Sequence, residues 1–423
     1  MFKPKSEFTK NVVTLMMGTA VAQAIPIAIS PILTRIYSPD DFGVFAIFIA
    51  IVSILGIISN GRYELAIMLP KKDEDAINIF ALGFIVTCTV SIFMLILVFI
   101  FNDYFKSLFN NEDIGFWLYF VPIAVFFTGL YNILNYFNNR KKNYKDLRNA
   151  IIIKSIVLAI VQLGIGFFKN GSSGLISGQL LSNMFANIKL FKNILKDNLL
   201  ISKISKVKIF ALAKKYKDFP KFNLPSSLAD TFTQQLPFLI LPKMFDLSIA
   251  GYFSLSQKLI ALPSSLIAKS FSQVYFQKIS ENKNKKIKNM PILLSTIKKL
   301  FLIALPFSIC IFFYAPDIFK IIFGDKWIIS GEIAKFLSLI FIITFIVSSI
   351  SVTLIVYEKL KHLSYWQYLY LFSTLCFFYI SIYLKLELEE FLFYFVIHEY
   401  ILYAIYLYLI IITVKKSDIL CEE

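Results

Sequence analysis

Cysteine, histidine and charged residues are all scarce in this chain of 423 residues. Its four cysteines and two histidines show no zinc or haem spacing, so neither a metal site nor a disulfide framework is predicted. The G-x-x-x-x-G-K-[ST] phosphate loop is absent as well, and the sequence therefore predicts no nucleotide hydrolysis and no cofactor. Charged residues make up 17% of the chain, against about 25% in soluble domains, which excludes a soluble enzyme.

Long apolar runs dominate the rest of the sequence. Hydrophobic residues make up 57% of the chain and the mean hydropathy is +0.70, enough for twelve helices of roughly 20 residues each. We therefore predict an all-α integral membrane protein with twelve transmembrane helices. The predicted spans are 11–34, 41–61, 76–101, 115–137, 150–168, 172–191, 222–243, 249–276, 299–316, 332–357, 364–384 and 391–414. The sixth and seventh are unusually polar for lipid-facing helices.

The N-terminal run resembles a secretion signal because three lysines precede it. It is about 24 residues long, however, whereas the apolar core of a signal peptide has about 7–15. We expect it to be an uncleaved first span.

The distribution of lysine and arginine predicts the orientation in the membrane. With the N-terminus in the cytoplasm, 33 basic residues lie in inside segments and eight in outside segments. Since basic residues accumulate in cytoplasmic loops, both termini are predicted to be cytoplasmic in a bacterial inner membrane. The net charge of +16 then reflects this topology and contact with anionic lipids, and gives no reason to expect nucleic-acid binding.

Two proline-containing segments lie half the chain length apart. Both have the pattern Q-x-x-P-x-x-x-x-P, at an offset of 211 residues, which favours an internal repeat over chance. The pattern predicts lobes at 1–200 and 222–423, a basic linker at 201–221 that is solvated or a surface amphipathic segment, and a working site between the lobes. Proline bends helices, so four prolines are candidate hinges. They are Pro26, Pro31, Pro237 and Pro242.

Residues 18–78 carry a more specific signal. They include Pro31-Ile32-Leu33-Thr34-Arg35-Ile36-Tyr37 and Arg62-Tyr63-Glu64-Leu65-Ala66-Ile67, and a second patch runs from Ala250 to Pro263. Together these segments resemble the polysaccharide transporter family, the O-antigen-type flippases of the multidrug/oligosaccharidyl-lipid/polysaccharide exporter superfamily.

The resemblance implies that the twelve helices form two six-helix lobes, related as parallel repeats, around a central cavity. It also implies transfer of undecaprenyl-diphosphate-linked sugar units from the cytoplasmic to the periplasmic leaflet. It also implies a lipid-linked oligosaccharide substrate, with membrane lipids, a polysaccharide polymerase and a chain-length protein as partners. In that family, Arg35, Arg62 and Glu64 fall at signature positions, although caps or interface anchors would explain them equally well.

Four ionisable residues are predicted to lie deep in the membrane, where charge is costly and usually faces a cavity. Lys258 and Lys269 are 11 residues apart and so share one helix face, which fits a cationic path for a diphosphate, although Lys269 could also reach the headgroups. Depth predicts pairing of Lys258 with Glu399 and of Asp230 with Lys269, as gates or as structural salt bridges. Asp230 and Glu399 are also candidates for coupling to H⁺ or Na⁺.

Amides and aromatic rings on the fourth span suit sugar hydroxyls and pyranose faces. Asn132, Asn135 and Tyr136 are the candidates there, together with Arg35 at the end of the first span. Interhelical hydrogen bonding explains such amides equally well. The functional alternatives are an ion-coupled multidrug exporter of the same fold, a membrane polysaccharide polymerase and a non-transporting scaffold.

Overall fold

The structure, a computed structural model, describes residues 7–109, 112–169 and 171–420. Regular structure in these ranges is helical throughout, with no strand among the described residues. The helices up to the middle of the chain are α1 Glu7–Ala28, α2 Ser30–Ile36, α3 Pro39–Ile58, α4 Tyr63–Ala66, α5 Asp73–Phe109, α6 Glu112–Leu118, α7 Val121–Arg140, α8 Tyr144–Phe168, α9 Ser173–Leu195, α10 Asn198–Ile201, α11 Lys206–Lys215 and α12 Leu224–Met244. They are followed by α13 Leu247–Pro263, α14 Lys269–Asn284, α15 Met290–Phe323, α16 Ile328–Ile350, α17 Thr353–Val356, α18 Leu360–Leu384 and α19 Leu388–Leu420.

All twelve predicted spans lie on helices. Nine stretches of the described chain are long and apolar enough to cross a membrane. The three predicted spans below that threshold are the two polar ones, α9 and α12, and the eighth, which is divided into α13 and α14 by a π-helical turn at Ser264–Ala268. The all-α membrane architecture is therefore confirmed, and the nine clear spans together with these three further stretches are compatible with a count of twelve.

The chain divides into two compact units, Met1–Lys243 and Met244–Glu423. Helix α12 therefore packs with the first unit, although the proline repeat relates it to α1. The lobes at 1–200 and 222–423, and the working site between them, stay predictions.

The first predicted span is interrupted between its two prolines. Helix α1 ends at Ala28 and α2 begins at Ser30, whereas α12 continues through both of its own prolines. Because proline has no N–H, Pro26 and Pro31 leave the carbonyls of Ala22 and Ile27 without their helical donors. Hydroxyl groups replace those donors. Ser155 Oγ of α8 donates to the Ala22 carbonyl at 2.7 Å, and Ser30 Oγ donates to the Ile27 carbonyl at 2.6 Å.

Ser155→Ala is expected to destabilise the first unit by about 1–3 kcal/mol, since it leaves a buried carbonyl unsatisfied. Pro26→Ala restores the missing N–H, so the double variant Pro26→Ala/Ser155→Ala should recover most of that loss. Unfolding midpoints of the purified variants would measure this coupling. Additive effects of the two substitutions would contradict the hydrogen-bond explanation.

In the second unit, a carboxylate from one helix caps the N-terminus of another. Both oxygens of the buried Asp418 carboxylate, near the end of α19, accept hydrogen bonds from backbone N–H groups at the start of α15. The Asn289 N–H lies 2.9 Å from Oδ1 and the Met290 N–H 2.8 Å from Oδ2. A carboxylate at a helix N-terminus satisfies orphan donors and complements the helix dipole, so the last helix of the chain anchors the third helix of this unit.

Candidate functional site

The connection between α3 and α4 holds an arginine in a strained backbone conformation. Gly61 and Arg62 are consecutive left-handed residues, with φ of 57° and 63°. Glycine adopts this conformation freely, whereas an arginine incurs roughly 1–2 kcal/mol of strain. The turn directs the Arg62 guanidinium toward two partners. Its Nε donates to Asn223 Oδ1 at 2.8 Å, and one terminal nitrogen lies 3.3 Å from Glu64 Oε1.

Glu64 is 3% exposed, so its carboxylate is almost completely removed from water. Burial raises the pKa of the Glu64 carboxyl, while the adjacent Arg62 cation lowers it. Oε2 is buried without a hydrogen-bond partner. The pair therefore combines a guanidinium held in place on one side with a carboxylate oxygen that a polar ligand could satisfy.

Helix α7 places aromatic rings and amides near this pair. Tyr136 lies within electrostatic range of both Arg62 and Glu64. Five residues earlier on α7, Tyr131 lies beside Asn135, one helical turn further along the same helix. The ammonium of Lys154, on α8, lies 5.1 Å from the centre of the Tyr131 ring, a cation–π distance. We use the name first-unit cluster for two neighbouring groups of the first unit, Arg62 with Tyr136 and Lys154 with Tyr131 and Asn135.

Lys154 is the cluster member that sequence reasoning missed. The distribution of basic residues places it in a cytoplasmic segment, and hydropathy alone does not indicate which face of α8 it occupies. The side chain is half-buried, and no carboxylate lies within ion-pair distance of it among the described residues. Its position four residues into a long apolar run was the available signal.

The other predicted polar residues of the first unit are more dispersed. Asn132 is half-buried on α7, whereas the exposed Arg35 donates to the Pro31 carbonyl at 2.6 Å, which fits an anchoring role. On α12, Asp230 accepts a hydrogen bond from Gln234 Nε2 at 3.2 Å. Pro237 is buried and Pro242 half-buried in the same helix.

In the second unit, Glu399 forms a buried polar cluster with neighbours on α18 and α19. Tyr370 donates its hydroxyl proton to Glu399 Oε2 at 2.9 Å. His398 Nδ1 lies 3.4 Å from Glu399 Oε1, and Nε2 of the same ring lies 3.0 Å from Ser373 Oγ. Nδ1 and Oε1 are both buried and neither makes a hydrogen bond. The two atoms are therefore close to one another without being hydrogen-bonded.

The predicted pair of Lys258 and Glu399 is wrong. The Glu399 carboxylate interacts with Tyr370 and lies close to His398 instead. Lys258 is exposed on α13 and makes no ion pair among the described residues. Sequence depth placed the two residues at one level of the membrane, but it carried no information on which helix faces meet. Lys269 begins α14, and its side chain lies outside the described residues.

The long apolar helices define a multi-pass membrane protein. The structure resembles the lipid II flippase MurJ in an inward closed conformation, with a TM-score of 0.71 and 15% identity over 96% of this chain and 90% of that one. It also resembles an inward-facing multidrug-resistance MATE transporter of the MOP superfamily, with a TM-score of 0.70 and 14% identity over 95% of each chain. At these identities the likeness establishes the fold alone.

The chain belongs to the polysaccharide biosynthesis protein family, whose model matches residues 32–332. It is also 21% identical over 341 residues to the succinoglycan biosynthesis transport protein ExoT of Rhizobium meliloti (strain 1021). That match covers 78% of this chain and 65% of the relative, which is less than two thirds of the relative's length. The resemblance drawn from residues 18–78 is thereby confirmed at the level of the family.

Proposed function

We propose that this protein is a flippase that transfers undecaprenyl-diphosphate-linked oligosaccharide units from the cytoplasmic to the periplasmic leaflet of the bacterial inner membrane. The product would supply a surface polysaccharide such as O-antigen or capsule. Both termini are cytoplasmic in this proposal, as the distribution of basic residues predicts.

The first-unit cluster is the observation that carries this proposal. Tyr131 and Tyr136 offer ring faces for pyranose packing, and the Asn135 amide can both donate to and accept from sugar hydroxyls. Lys154 has no carboxylate partner among the described residues, so its charge is available to a phosphate group. Arg62 adds a second cation, a partly exposed guanidinium. One unit thus offers the two chemistries that a sugar diphosphate needs.

A deletion strain tests the proposal directly. We expect lipid-linked oligosaccharide units to accumulate on the cytoplasmic leaflet and surface polysaccharide to disappear, with both effects reversed by the wild-type gene on a plasmid. Normal surface polysaccharide without accumulation would contradict the proposal. Increased sensitivity to cationic drugs in such a strain would favour the ion-coupled exporter, which the MATE-like fold also permits.

Lys258 and Lys269 are proposed as further cationic positions along the substrate path, with Asn132 as an additional amide and the four prolines as hinges. The exposure of Lys258 and the absence of an ion pair at its ammonium among the described residues support this role. Asp230 is proposed as a second ion-coupling or gating carboxylate. A polysaccharide polymerase and a chain-length protein are the proposed partners.

Ion coupling is proposed at Glu399, with His398 as the group that shares its proton. Tyr370 holds one carboxylate oxygen, while the other faces His398 Nδ1 at 3.4 Å in a buried position. Desolvation makes an isolated charge expensive there, so a proton that binds and leaves would change the electrostatic energy of the second unit.

Glu399→Gln is expected to make transport insensitive to a pH gradient, because the amide mimics the protonated carboxyl. The assay uses purified protein in vesicles loaded with lipid-linked units from the deletion strain, with and without the gradient. Glu389→Gln, at an exposed position at the start of α19, is the control and should retain gradient dependence. Unchanged gradient dependence in Glu399→Gln would exclude this coupling site.

A further inference from the structure

A lysine-lined pocket lies where the connection between the two halves of the chain contacts the start of α5. Its volume is ≈ 580 Å³. Lys71 and Lys72 line it from the segment before α5, and Lys208 and Lys215 line it from α11. Tyr216 and Leu69 complete the apolar part of the wall.

The four lysines that line this pocket outnumber its two carboxylates. Glu74 and Asp75 also line it, but Glu74 is already engaged by two lysines. Lys208 lies 3.1 Å and Lys203 3.9 Å from its carboxylate oxygens. Among the described residues, no carboxylate lies within ion-pair distance of Lys71, Lys72 or Lys215. The pocket therefore has three exposed lysine ammonium groups and one carboxylate, that of Asp75, that makes no ion pair among the described residues.

The pocket is a built feature, because α11 is fixed to α5 by hydrogen bonds. The buried Asn78 side chain donates to the Lys203 carbonyl at 3.0 Å and accepts from the Ser205 N–H at 2.8 Å. Tyr63 donates its hydroxyl proton to the Ala213 carbonyl at 3.3 Å. Lys208 and Lys215 are seven residues apart and so lie on one face of α11.

The position of the pocket indicates the kind of ligand. A candidate membrane span begins at Asp73, immediately after Lys72, so the pocket lies at the end of a span, at the depth where lipid headgroups are found. Leu69 lines it with 57% of its surface exposed, which suits the glycerol and acyl part of a lipid. Lysine ammonium groups suit phosphate oxygens, and basic pockets beside membrane helices favour anionic lipids.

We propose that this pocket binds the phosphate-bearing headgroup of an anionic phospholipid in the surrounding leaflet. The phosphate oxygens of the bound lipid engage Lys71, Lys72 and Lys215, partly neutralise their charge and thereby fasten α11 to the start of α5. This site is separate from the first-unit cluster and does not depend on the flippase proposal.

The test compares two double variants of the full-length protein with equal loss of charge. Lys71→Gln/Lys215→Gln removes two pocket lysines. Lys206→Gln/Lys214→Gln removes two exposed lysines of α11 that do not line the pocket. Each protein is purified in detergent and its thermal unfolding midpoint is followed during titration with phosphatidylglycerol or phosphatidylcholine.

We expect phosphatidylglycerol to raise the midpoint of the wild type and of the Lys206/Lys214 control, with little effect of phosphatidylcholine. The pocket variant should need at least about tenfold more phosphatidylglycerol for the same shift, as expected from the loss of charged hydrogen bonds. Lys71→Arg/Lys215→Arg keeps the charge and should respond like the wild type. An equal response in both Gln variants would mean diffuse attraction and would overturn the site.

A separate titration with inorganic diphosphate distinguishes a lipid from a soluble anion. Protection of the wild type by diphosphate to the same extent as by phosphatidylglycerol, at equal concentration, would show that the pocket takes free phosphate groups and would overturn the lipid assignment. A much weaker effect of diphosphate would support it. Neither measurement involves transport, so a failed flippase assay would leave the result intact.

Discussion

Replacing Lys154 with methionine is expected to reduce transfer of lipid-linked oligosaccharide by about ten- to a hundredfold. The side chain keeps its length but loses the charge that our proposal assigns to the diphosphate, and a hydrogen bond to a charged group contributes about 1.5–3 kcal/mol. The measurement is the rate at which lipid-linked units reach the outer leaflet of vesicles that contain the purified variant.

The thermal stability of the Lys154→Met variant, unlike its transfer rate, should not decrease. Lys154 is a half-buried cation without a carboxylate partner among the described residues, so Lys154→Met removes an uncompensated charge and should keep or raise the unfolding midpoint. Lys145→Met, at an exposed position in the first turn of α8, is the matched control and should leave both quantities unchanged. Lys154→Arg should retain part of the activity. A normal transfer rate in Lys154→Met would remove this residue from the substrate site.

Gly331→Ala is expected to destabilise the second unit by about 1–3 kcal/mol through overpacking. A Cβ atom at this position of α16 would lie 2.5 Å from Pro316 Cα and 2.8 Å from the Ala315 carbonyl oxygen. Both are backbone atoms of α15, so the two helices would have to separate to admit a methyl group. The unfolding midpoint and the yield of monodisperse protein would measure the effect.

Gly164→Ala provides the control for this substitution. Gly164 also lies inside a helix, but a Cβ atom there would meet nothing within 4 Å. Alanine is the better helix former by about 1 kcal/mol, so this variant should be as stable as the wild type or slightly more so. Equal stability of the two variants would show that close contact between α15 and α16 does not limit the stability of the second unit.

The sequence predicted many of the residues of the candidate site, but not the contacts between them. The sequence indicated that Glu399 lies deep in the last span, and the structure buries it there. The predicted partner of Glu399, Lys258, was wrong, because the depth of a residue along the membrane normal does not specify which face of its helix it occupies. Tyr370, on the neighbouring helix, was overlooked because tyrosine is common throughout this chain.

The two proline-containing segments also show that a sequence pattern does not determine the tertiary contacts. The spacing from Pro26 to Pro31 recurs between Pro237 and Pro242, so the sequence predicts equal bends in α1 and α12. The structure breaks the first span at Ile29 and leaves α12 continuous. The difference depends on neighbours distant in sequence, such as Ser155, whose hydroxyl compensates the carbonyl that Pro26 leaves free.

The sequence by itself determined the helical membrane architecture and the family, because apolar run length and local motifs are properties of consecutive residues. Tertiary structure alone decided that Lys154 lies over Tyr131, that Arg62 donates to Asn223, and that Tyr370 of α18 donates to Glu399 of α19. These contacts depend on the rotation of each helix about its own axis. Packing against neighbouring helices sets that rotation, and an apolar run that is hydrophobic on every side carries no record of it.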